Sequence, residues 1–300
     1  MKNNLIISGG TGYLGNVLIE YLKKDYNIII LTRKKTKVLN TLNYINWNDD
    51  WQRHINSNTI IINLAGKSIN CLFTEKNKQQ LISSRIKVTK LINTAIIKAD
   101  NPPLLFINAS GISIYKSNLY KKQDEVNFEY GSGFLSNLSK QWENDFYNIK
   151  TPKTRKVAIR LAPVLGKESH AIKPLKKVVS LGLGGKQGNG KQYFSWIHER
   201  DLAKAIEFII KNNKVEGSIN LTSPIAISNS KFMQTFRELM NVKIGIPTPS
   251  FLLYLSKYVN KVEPELILDS LNIYPKKLLN LGFVFKFDTI EKTLTDILKK

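Results

Sequence analysis

Near its N-terminus the chain reads Gly9-Gly10-Thr11-Gly12-Tyr13-Leu14-Gly15, directly after the apolar run Leu5-Ile6-Ile7. A strand, a glycine turn and a helix in this order are typical of a nucleotide-binding site. Gly9 permits a tight exit from the strand, and Gly12 lets backbone N–H groups close on a pyrophosphate. Gly15 lets the helix lie close to the sheet. A plain glycine turn is the alternative interpretation, but its position between a strand and an amphipathic helix favours cofactor binding.

The end of the second strand, Asn27-Ile28-Ile29-Ile30-Leu31, indicates which dinucleotide would bind. NAD-binding units usually place Asp or Glu there, to accept hydrogen bonds from the ribose hydroxyls. This chain continues instead with Thr32-Arg33-Lys34-Lys35, which contains no acid. Arg33 can donate paired hydrogen bonds to a 2′-phosphate, while Lys34 and Lys35 either add charge or are ordinary surface residues. The sequence therefore predicts NADP(H) as the cofactor.

Composition limits the classes of function. A chain of 300 residues with 42% hydrophobic residues can bury a full core. The single cysteine, Cys71, excludes disulfides within the chain and cysteine-based metal clusters. The three histidines, His54, His170 and His198, show no ligand spacing, so no metal site is expected.

The formal net charge of +22 raises the question of nucleic acid binding. The lysines are spread along the whole chain, and no aromatic residues alternate with basic ones as a base-stacking surface would require. A nucleic acid partner is therefore not expected. The chain also shows no leader and no apolar run of about 18 residues, so we expect a cytoplasmic protein without a membrane partner.

Strands and helices alternate along the first half of the chain. Apolar strands are predicted over 59–64, 104–109 and 156–161, and helices over 74–98 and 133–147. This alternation predicts an α/β fold, a Rossmann doubly wound parallel sheet with a smaller, mainly helical C-terminal lobe. We assign residues 1–166 to the NADP(H)-binding domain, with elements of 193–222 returning to it. Residues 167–192 and 223–300 are assigned to the smaller, substrate-side lobe.

Several of these motifs resemble a known family. The glycine turn, Asn63-Leu64-Ala65-Gly66, Ser110 with Tyr115, and the passage from Gly182-Leu183-Gly184-Gly185 to Ser195-Trp196-Ile197-His198 are similar to extended short-chain dehydrogenase/reductases. Within them, the bacterial YfcH-like group of epimerase-family, sugar-nucleotide epimerase-like proteins matches best. The resemblance extends over nearly the whole chain, including residues 275–283.

The resemblance implies roles for individual residues. Gly9, Thr11, Gly12, Tyr13, Leu14 and Gly15 would bind the pyrophosphate, Arg33 the 2′-phosphate, and Leu64, Ala65 and Gly66 the adenine and ribose. Arg85 would lie near the cofactor, unless it is a surface residue of its helix. His198 and Asp201 would be structural or border the site. The resemblance also implies a homodimer through the helices 74–98 and 133–147, although the sequence leaves the oligomeric state open.

The catalytic pattern of the superfamily is incomplete in this chain. Short-chain reductases use a Tyr with a Lys four residues later, so that the ammonium lowers the pKa of the phenol. Here Ser136 stands four residues before Lys140. Ser110 fills the role of the serine that orients the reacting hydroxyl, with Ser113 second. Either Tyr115 replaces the missing proton donor or no redox chemistry occurs.

Two classes of function follow from this reading. The first is an NADP(H)-dependent epimerase or oxidoreductase that acts on a nucleotide sugar or a similar small molecule. The second is a non-catalytic NADP(H)-binding module that senses redox state or regulates another process. The retained Ser110 favours the first class, and the missing Tyr and Lys favour the second.

Overall fold

A computed structural model describes residues 2–39, 42–260 and 262–299 of the chain. In chain order the strands are β1 Asn4–Ser8, β2 Asn27–Thr32, β3 Lys37–Leu39, β4 Leu42–Asn46, β5 Ile60–Asn63, β6 Leu105–Gly111, β7 Arg155–Leu161, β8 Val164–Leu165, β9 Tyr193–Phe194, β10 Ile197–His198, β11 Gly217–Leu221 and β12 Ile227–Ser228. The helices are α1 Tyr13–Leu22, α2 Glu75–Lys98, α3 Phe134–Asn148, α4 Ile172–Ser180, α5 Glu199–Lys211, α6 Asn229–Leu239, α7 Ser250–Asn260, α8 Glu265–Leu268, α9 Lys276–Asn280 and α10 Ile290–Leu298.

The central sheet has eight strands in the order β11-β7-β6-β5-β1-β2-β4-β3. All neighbouring strands in it run parallel except β3, which pairs antiparallel with β4 at the edge. The strands are rich in isoleucine because both faces of a parallel sheet are covered by helices. The predicted α/β Rossmann fold with a doubly wound sheet is thereby confirmed.

Alternating residues of β1 show how the two faces are covered. Leu5 and Ile7 pack in one core with side chains of α1 and α5. Ile6 packs on the opposite face with Ile92 of α2 and Phe146 of α3. This period of two follows from the strand geometry. Because β1, β2, β5 and β6 run parallel, their carboxyl ends lie along one edge of the sheet.

A separate hydrophobic core lies in the C-terminal half. It is built mainly from α4, α6 and α10 around Trp196, which is fully buried. Two short sheets join this region, β8 with β10 and β9 with β12. A mainly helical C-terminal lobe is therefore present.

Packing contacts cross the predicted boundary between the two parts, and the boundary itself stays a prediction. Helix α5 and strand β11 pack in the main sheet region, whereas β9 and β10 pair with β12 and β8 within the described ranges. Residues 275–287, assigned to the smaller lobe, contribute Leu278, Phe283 and Phe285 to the main core. The rings of Phe283 and Phe208 of α5 lie 5.5 Å apart, so apolar burial draws this segment back onto the Rossmann part.

No helix in the described ranges is long and apolar enough to cross a bilayer.

Candidate cofactor and active site

Two glycines of the turn after β1 are required by close backbone packing. Gly9 has φ +76, and a Cβ there would lie 2.7 Å from the carbonyl carbon of Leu64. A Cβ on Gly15 would lie 2.4 Å from the Cα of Gly10. Distances this short allow no side chain, so Gly9 lets the turn lie against the end of β5 and Gly15 lets α1 lie against the turn.

Gly12 has a different role because it precedes the first residue of α1. Its N–H donates to the Gly9 carbonyl at 3.0 Å, and its carbonyl accepts the first helical bond, from the Asn16 N–H at 2.9 Å. The N–H groups of Tyr13 and Leu14 therefore have no partner within the helix, and no side chain caps this end. Gly12 and Thr11 are exposed. The start of α1 is an open site for an anion.

Arg33 lies at the same edge of the sheet as the glycine turn. Strand β2 runs parallel to β1, and Ser8 pairs with Leu31, so both strand ends lie side by side. Arg33 is exposed two residues beyond Leu31. Its side chain makes no ion pair or hydrogen bond within the described ranges, so its guanidinium is available to a ligand.

The loop after β5 is fixed by a buried polar network. The Asn63 Oδ1 accepts from the Ser8 hydroxyl at 2.5 Å and from the Ala65 N–H at 3.1 Å. The Asn63 amide donates to the Asn108 Oδ1 at 2.7 Å. The Leu64 N–H donates to the Ser8 carbonyl at 2.9 Å. Ends of β1, β5 and β6 are thus joined, and Leu64 and Ala65 lie directly beside the glycine turn.

Arg85 is buried, which excludes the alternative of a surface residue. It donates to the carbonyls of Leu81 and Lys67, both at 3.0 Å. Its guanidinium lies 5.2 Å from the centre of the Trp142 ring, and a Cβ on Gly66 would lie 3.1 Å from its central carbon. Burial lowers the pKa of Arg85 to about 10. Arg85 supports the backbone at residues 66–67, and its contact with a cofactor stays a prediction.

The hydroxyl of Tyr13 is hydrogen-bonded within the protein. Its hydroxyl donates to Glu199 at the start of α5 at 2.5 Å. Burial and this hydrogen bond raise the pKa of Tyr13. A Cβ on Gly166 would collide with both side chains, so Gly166 provides the space for the pair. Only the backbone of Tyr13 is therefore free for the predicted pyrophosphate.

Ser110 at the end of β6 is 4% exposed and is already hydrogen-bonded. Its hydroxyl donates to the Oε1 of Glu143 on α3 at 2.7 Å. Both oxygens of Glu143 also accept from Arg160, each at 2.8 Å, and one accepts from Ser218 at 2.9 Å. A ligand that needs the Ser110 hydroxyl would have to displace this buried network.

The position of Tyr115 gives no support to the prediction that it is the proton donor. Its side chain is buried, and its hydroxyl donates to the Asn220 Oδ1 at 2.6 Å and accepts from Arg160 at 2.8 Å. No recorded hydrogen bond in the described ranges joins Tyr115 to Ser110. Burial raises the pKa of Tyr115 to about 12, opposite to the shift that a phenolic catalyst needs. The geometry assigns Tyr115 to the buried network.

Ser113, just beyond β6, forms another pair of hydroxyls with Ser139 of α3. The Oγ atoms of Ser113 and Ser139 are 3.1 Å apart, and Ser113 is half-buried. The two residues of the incomplete Tyr–Lys pattern point elsewhere. Ser136 donates to the Ile114 carbonyl at 3.2 Å, and Lys140 donates to the Gly131 carbonyl at 3.1 Å.

His198 and Asp201 connect the start of α5 to residues 286–287. The Asp201 carboxylate accepts from the backbone N–H groups of Lys286 and Phe287, and the His198 ring stacks on Phe287 at 3.7 Å. Burial lowers the pKa of His198 to about 4. These contacts fit the structural interpretation of both residues.

The C-terminal region reaches the edge of the sheet where the predicted site residues lie. The Phe73 N–H, in the loop after β5, donates to Glu263 at 2.7 Å. Ser117, shortly after β6, accepts from the Ser270 N–H at 2.9 Å. These contacts place residues 263–270 beside the loops that follow β5 and β6.

The sequence reasoning missed the Glu143–Arg160 pair. A signal was present, because Arg160 interrupts the apolar strand Val157-Ala158-Ile159. A buried arginine requires a carboxylate or several acceptors, so its partner could have been sought on α3.

The fold and the glycine turn together define a Rossmann-type protein, in which β1, the turn and α1 form a nucleotide-binding motif. Residues 5–222 match the model of the NAD dependent epimerase/dehydratase family. This match spans more than half of the chain, and the protein therefore belongs to that family. Residues 248–297 match a domain of unknown function, DUF1731.

Individual relatives agree with this assignment. An epimerase family protein of Staphylococcus epidermidis is 33% identical over 297 residues, which cover 98% of each chain. The crystal structure of the human epimerase family protein SDR39U1 (isoform 2) with NADPH superposes with a TM-score of 0.88 at 28% identity, covering 98% of this chain and 99% of the human one. The UDP-N-acetylglucosamine 4-epimerase of Bacillus cereus superposes with a TM-score of 0.75 at 18% identity, covering 99% and 98%, a likeness of fold alone. The resemblance to extended reductases is confirmed.

Proposed function

We propose that this protein binds NADP(H) at the carboxyl edge of β1, β2 and β5. One observation carries the proposal. The open N-terminus of α1 lies beside the end of β2, where Arg33 is exposed. The pyrophosphate would meet the N–H groups of Tyr13 and Leu14, and the 2′-phosphate would meet Arg33.

The human relative solved with NADPH supports the choice of the phosphorylated dinucleotide. The residues present also fit this cofactor, because no carboxylate directly follows β2 and the backbone of the glycine turn is exposed at Thr11 and Gly12. Leu64, Ala65 and Gly66 would border the adenine and ribose. Bound NADP(H) would supply a hydride acceptor or donor at this edge of the sheet.

The geometry favours cofactor binding over the usual hydride chemistry of the superfamily. The hydroxyls of Ser110 and Tyr115 are both held in buried hydrogen bonds. A non-catalytic NADP(H)-binding module is consistent with that arrangement. A cytoplasmic location, a homodimer and the absence of nucleic acid partners stay predictions.

A second candidate function is an epimerase or oxidoreductase for a nucleotide sugar or a similar small molecule. The half-buried Ser113 hydroxyl, 3.1 Å from that of Ser139, favours it, because it lies just past the end of β6, where a substrate hydroxyl would approach. Membership of an epimerase/dehydratase family also supports it. In this case Ser113, rather than Ser110, would contact the substrate.

The test is a titration of the protein with NADPH and with NADH, followed by energy transfer from tryptophan to the nicotinamide. We expect tighter binding of NADPH, and an Arg33→Ala variant should lose about 10- to 100-fold in NADPH affinity with little change for NADH. Lys35→Ala is the matched control, since it removes a nearby charge without the bidentate group. Equal affinities for the two dinucleotides in the wild type, or no binding of either, would refute the proposal.

A further inference from the structure

The surface of the C-terminal lobe carries an unusual number of exposed apolar side chains. Six of them are each 54 to 67% exposed. They are Leu181, Ile244, Ile246, Phe251, Tyr254 and Leu255. We call these six residues the α4–α7 surface, because they lie between the end of α4 and the middle of α7. Exposed apolar groups that cluster in this way mark an interaction site.

Backbone hydrogen bonds show that the segments of this surface are neighbours. The Ile246 N–H donates to the Gly182 carbonyl at 2.9 Å, and the Gly185 N–H donates to the Ile246 carbonyl at 3.1 Å. A Cβ on Gly182 would lie 3.7 Å from Ile244. Residues 182–185, which follow Leu181, therefore run beside 244–246, and α7 begins only four residues further on.

Helix α7 presents its apolar residues to the solvent. It reads Ser-Phe-Leu-Leu-Tyr-Leu-Ser-Lys-Tyr-Val-Asn over residues 250–260. Among residues 251–255, all of them apolar or aromatic, only Leu253 is buried. A surface helix of a globular protein normally turns most of such side chains toward the core. The side chains of Phe251, Tyr254 and Leu255 therefore lack the cover that an ordinary helix would have.

Lysines outnumber acidic residues around this surface. Residues 171–191 and 239–260 contain seven lysines and neither Asp nor Glu, and two of these lysines, Lys173 and Lys257, pair with Glu168 and Glu263 just outside these ranges. Lys177, Lys186 and Lys243 are exposed, and none of them forms an ion pair within the described ranges. A partner that covers the apolar side chains would therefore also face uncompensated positive charge. That partner should be anionic.

From this combination we propose that the α4–α7 surface binds the surface of an anionic lipid bilayer, without crossing it. Phe, Leu and Tyr with a lysine border are the composition of helices that lie in the membrane interface. Lysines near such a helix gain electrostatic energy from anionic headgroups. A protein partner fits less well, because lysine is depleted in protein–protein interfaces. This proposal departs from the sequence-based expectation that the protein has no membrane partner, and it is independent of the proposed NADP(H) site.

The test is co-sedimentation of the full chain with lipid vesicles. One set contains phosphatidylcholine alone, and the other contains equal parts of phosphatidylcholine and phosphatidylglycerol. We expect binding only to the anionic vesicles, with a bound fraction that falls as salt is raised. A Phe251→Asp/Leu255→Asp double variant and a Lys177→Glu/Lys243→Glu double variant should each reduce vesicle affinity about tenfold or more.

Tyr120→Asp is the matched control, since Tyr120 is 94% exposed but lies outside this surface. It should bind vesicles like the wild type. Thermal unfolding and NADPH titration of every variant separate a loss of lipid binding from misfolding or from failure of the cofactor site. The proposal is overturned if wild-type protein stays in the supernatant with anionic vesicles, or if both double variants sediment like the wild type. It is also overturned if light scattering shows a dimer that the aspartate variant dissociates, because a second copy would then cover the surface.

Discussion

The hydroxyl of Tyr115, a candidate proton donor from the sequence, has a structural role in this protein. It bonds to Asn220 and Arg160 in the interior, and Arg160 in turn holds Glu143. A buried donor or acceptor that loses its partner costs about 1–3 kcal/mol. We therefore predict that Tyr115→Phe lowers the free energy of unfolding by about 1–3 kcal/mol and leaves NADPH affinity unchanged. Urea denaturation and the dinucleotide titration measure the two quantities.

Tyr130→Phe provides the control for this prediction. Tyr130 is 57% exposed and has no recorded hydroxyl hydrogen bond within the described ranges. Its substitution should change stability by no more than about 0.5 kcal/mol. If Tyr115→Phe were as stable as the wild type, the buried network would not have the structural role assigned to it.

For individual residues, the sequence predicted where a side chain lies in the fold better than it predicted its hydrogen-bond partner. The exposure of Arg33 at the end of β2 follows from the strand pattern and the local charge, both of which are visible in the sequence. The partner of Tyr13, Glu199, lies 186 residues away. The pairs Ser110–Glu143 and Tyr115–Asn220 are likewise distant in the chain, so no local pattern could have predicted that these hydroxyls are occupied.

The glycine turn with helix α1 is the element that would bind the cofactor, and its glycines should respond differently to substitution. Gly15→Ala places a Cβ 2.4 Å from the Gly10 Cα, so the backbone must move. We expect a loss of about 3 kcal/mol of unfolding free energy. Gly12→Ala meets its nearest atom at 3.3 Å and keeps an ordinary φ of −84, so stability should change little.

Although Gly12→Ala should change stability little, it should clearly change NADPH affinity. A methyl group at Gly12 occupies the space through which a pyrophosphate approaches the N–H groups of α1, so Gly12→Ala should weaken NADPH binding about tenfold or more. Chemical denaturation and ligand titration of both variants test the pair. A Gly12→Ala variant that binds NADPH normally would place the cofactor elsewhere.

Helices were predicted more accurately than short strands. Helix α2 was expected over 74–98 and spans Glu75–Lys98, because Thr74 caps its start and a proline pair follows its end. Strand β3 was missed because all three of its residues are exposed at the sheet edge and show no apolar period. The two-residue strands β8 and β12 are too short to show any period in the sequence.

At the scale of the whole molecule, the fold class followed from alternating elements, but the path of the chain end did not. Residues 275–287 return to the main core through Leu278 and Phe283, far in sequence from the helix and strand that they cover. Asp201 and His198 fix the same segment from α5. Such contacts depend on which apolar faces remain uncovered after the sheet forms, and a linear pattern does not reveal them.

The open N-terminus of α1 and Arg33 together form the proposed NADP(H) site. A crystal structure of the protein grown with saturating NADPH would show directly whether they do. We expect pyrophosphate oxygens within hydrogen-bond distance of the Tyr13 and Leu14 N–H groups and the 2′-phosphate against the Arg33 guanidinium. Density for NADPH at any other place, or an empty glycine turn at saturating NADPH, would contradict it.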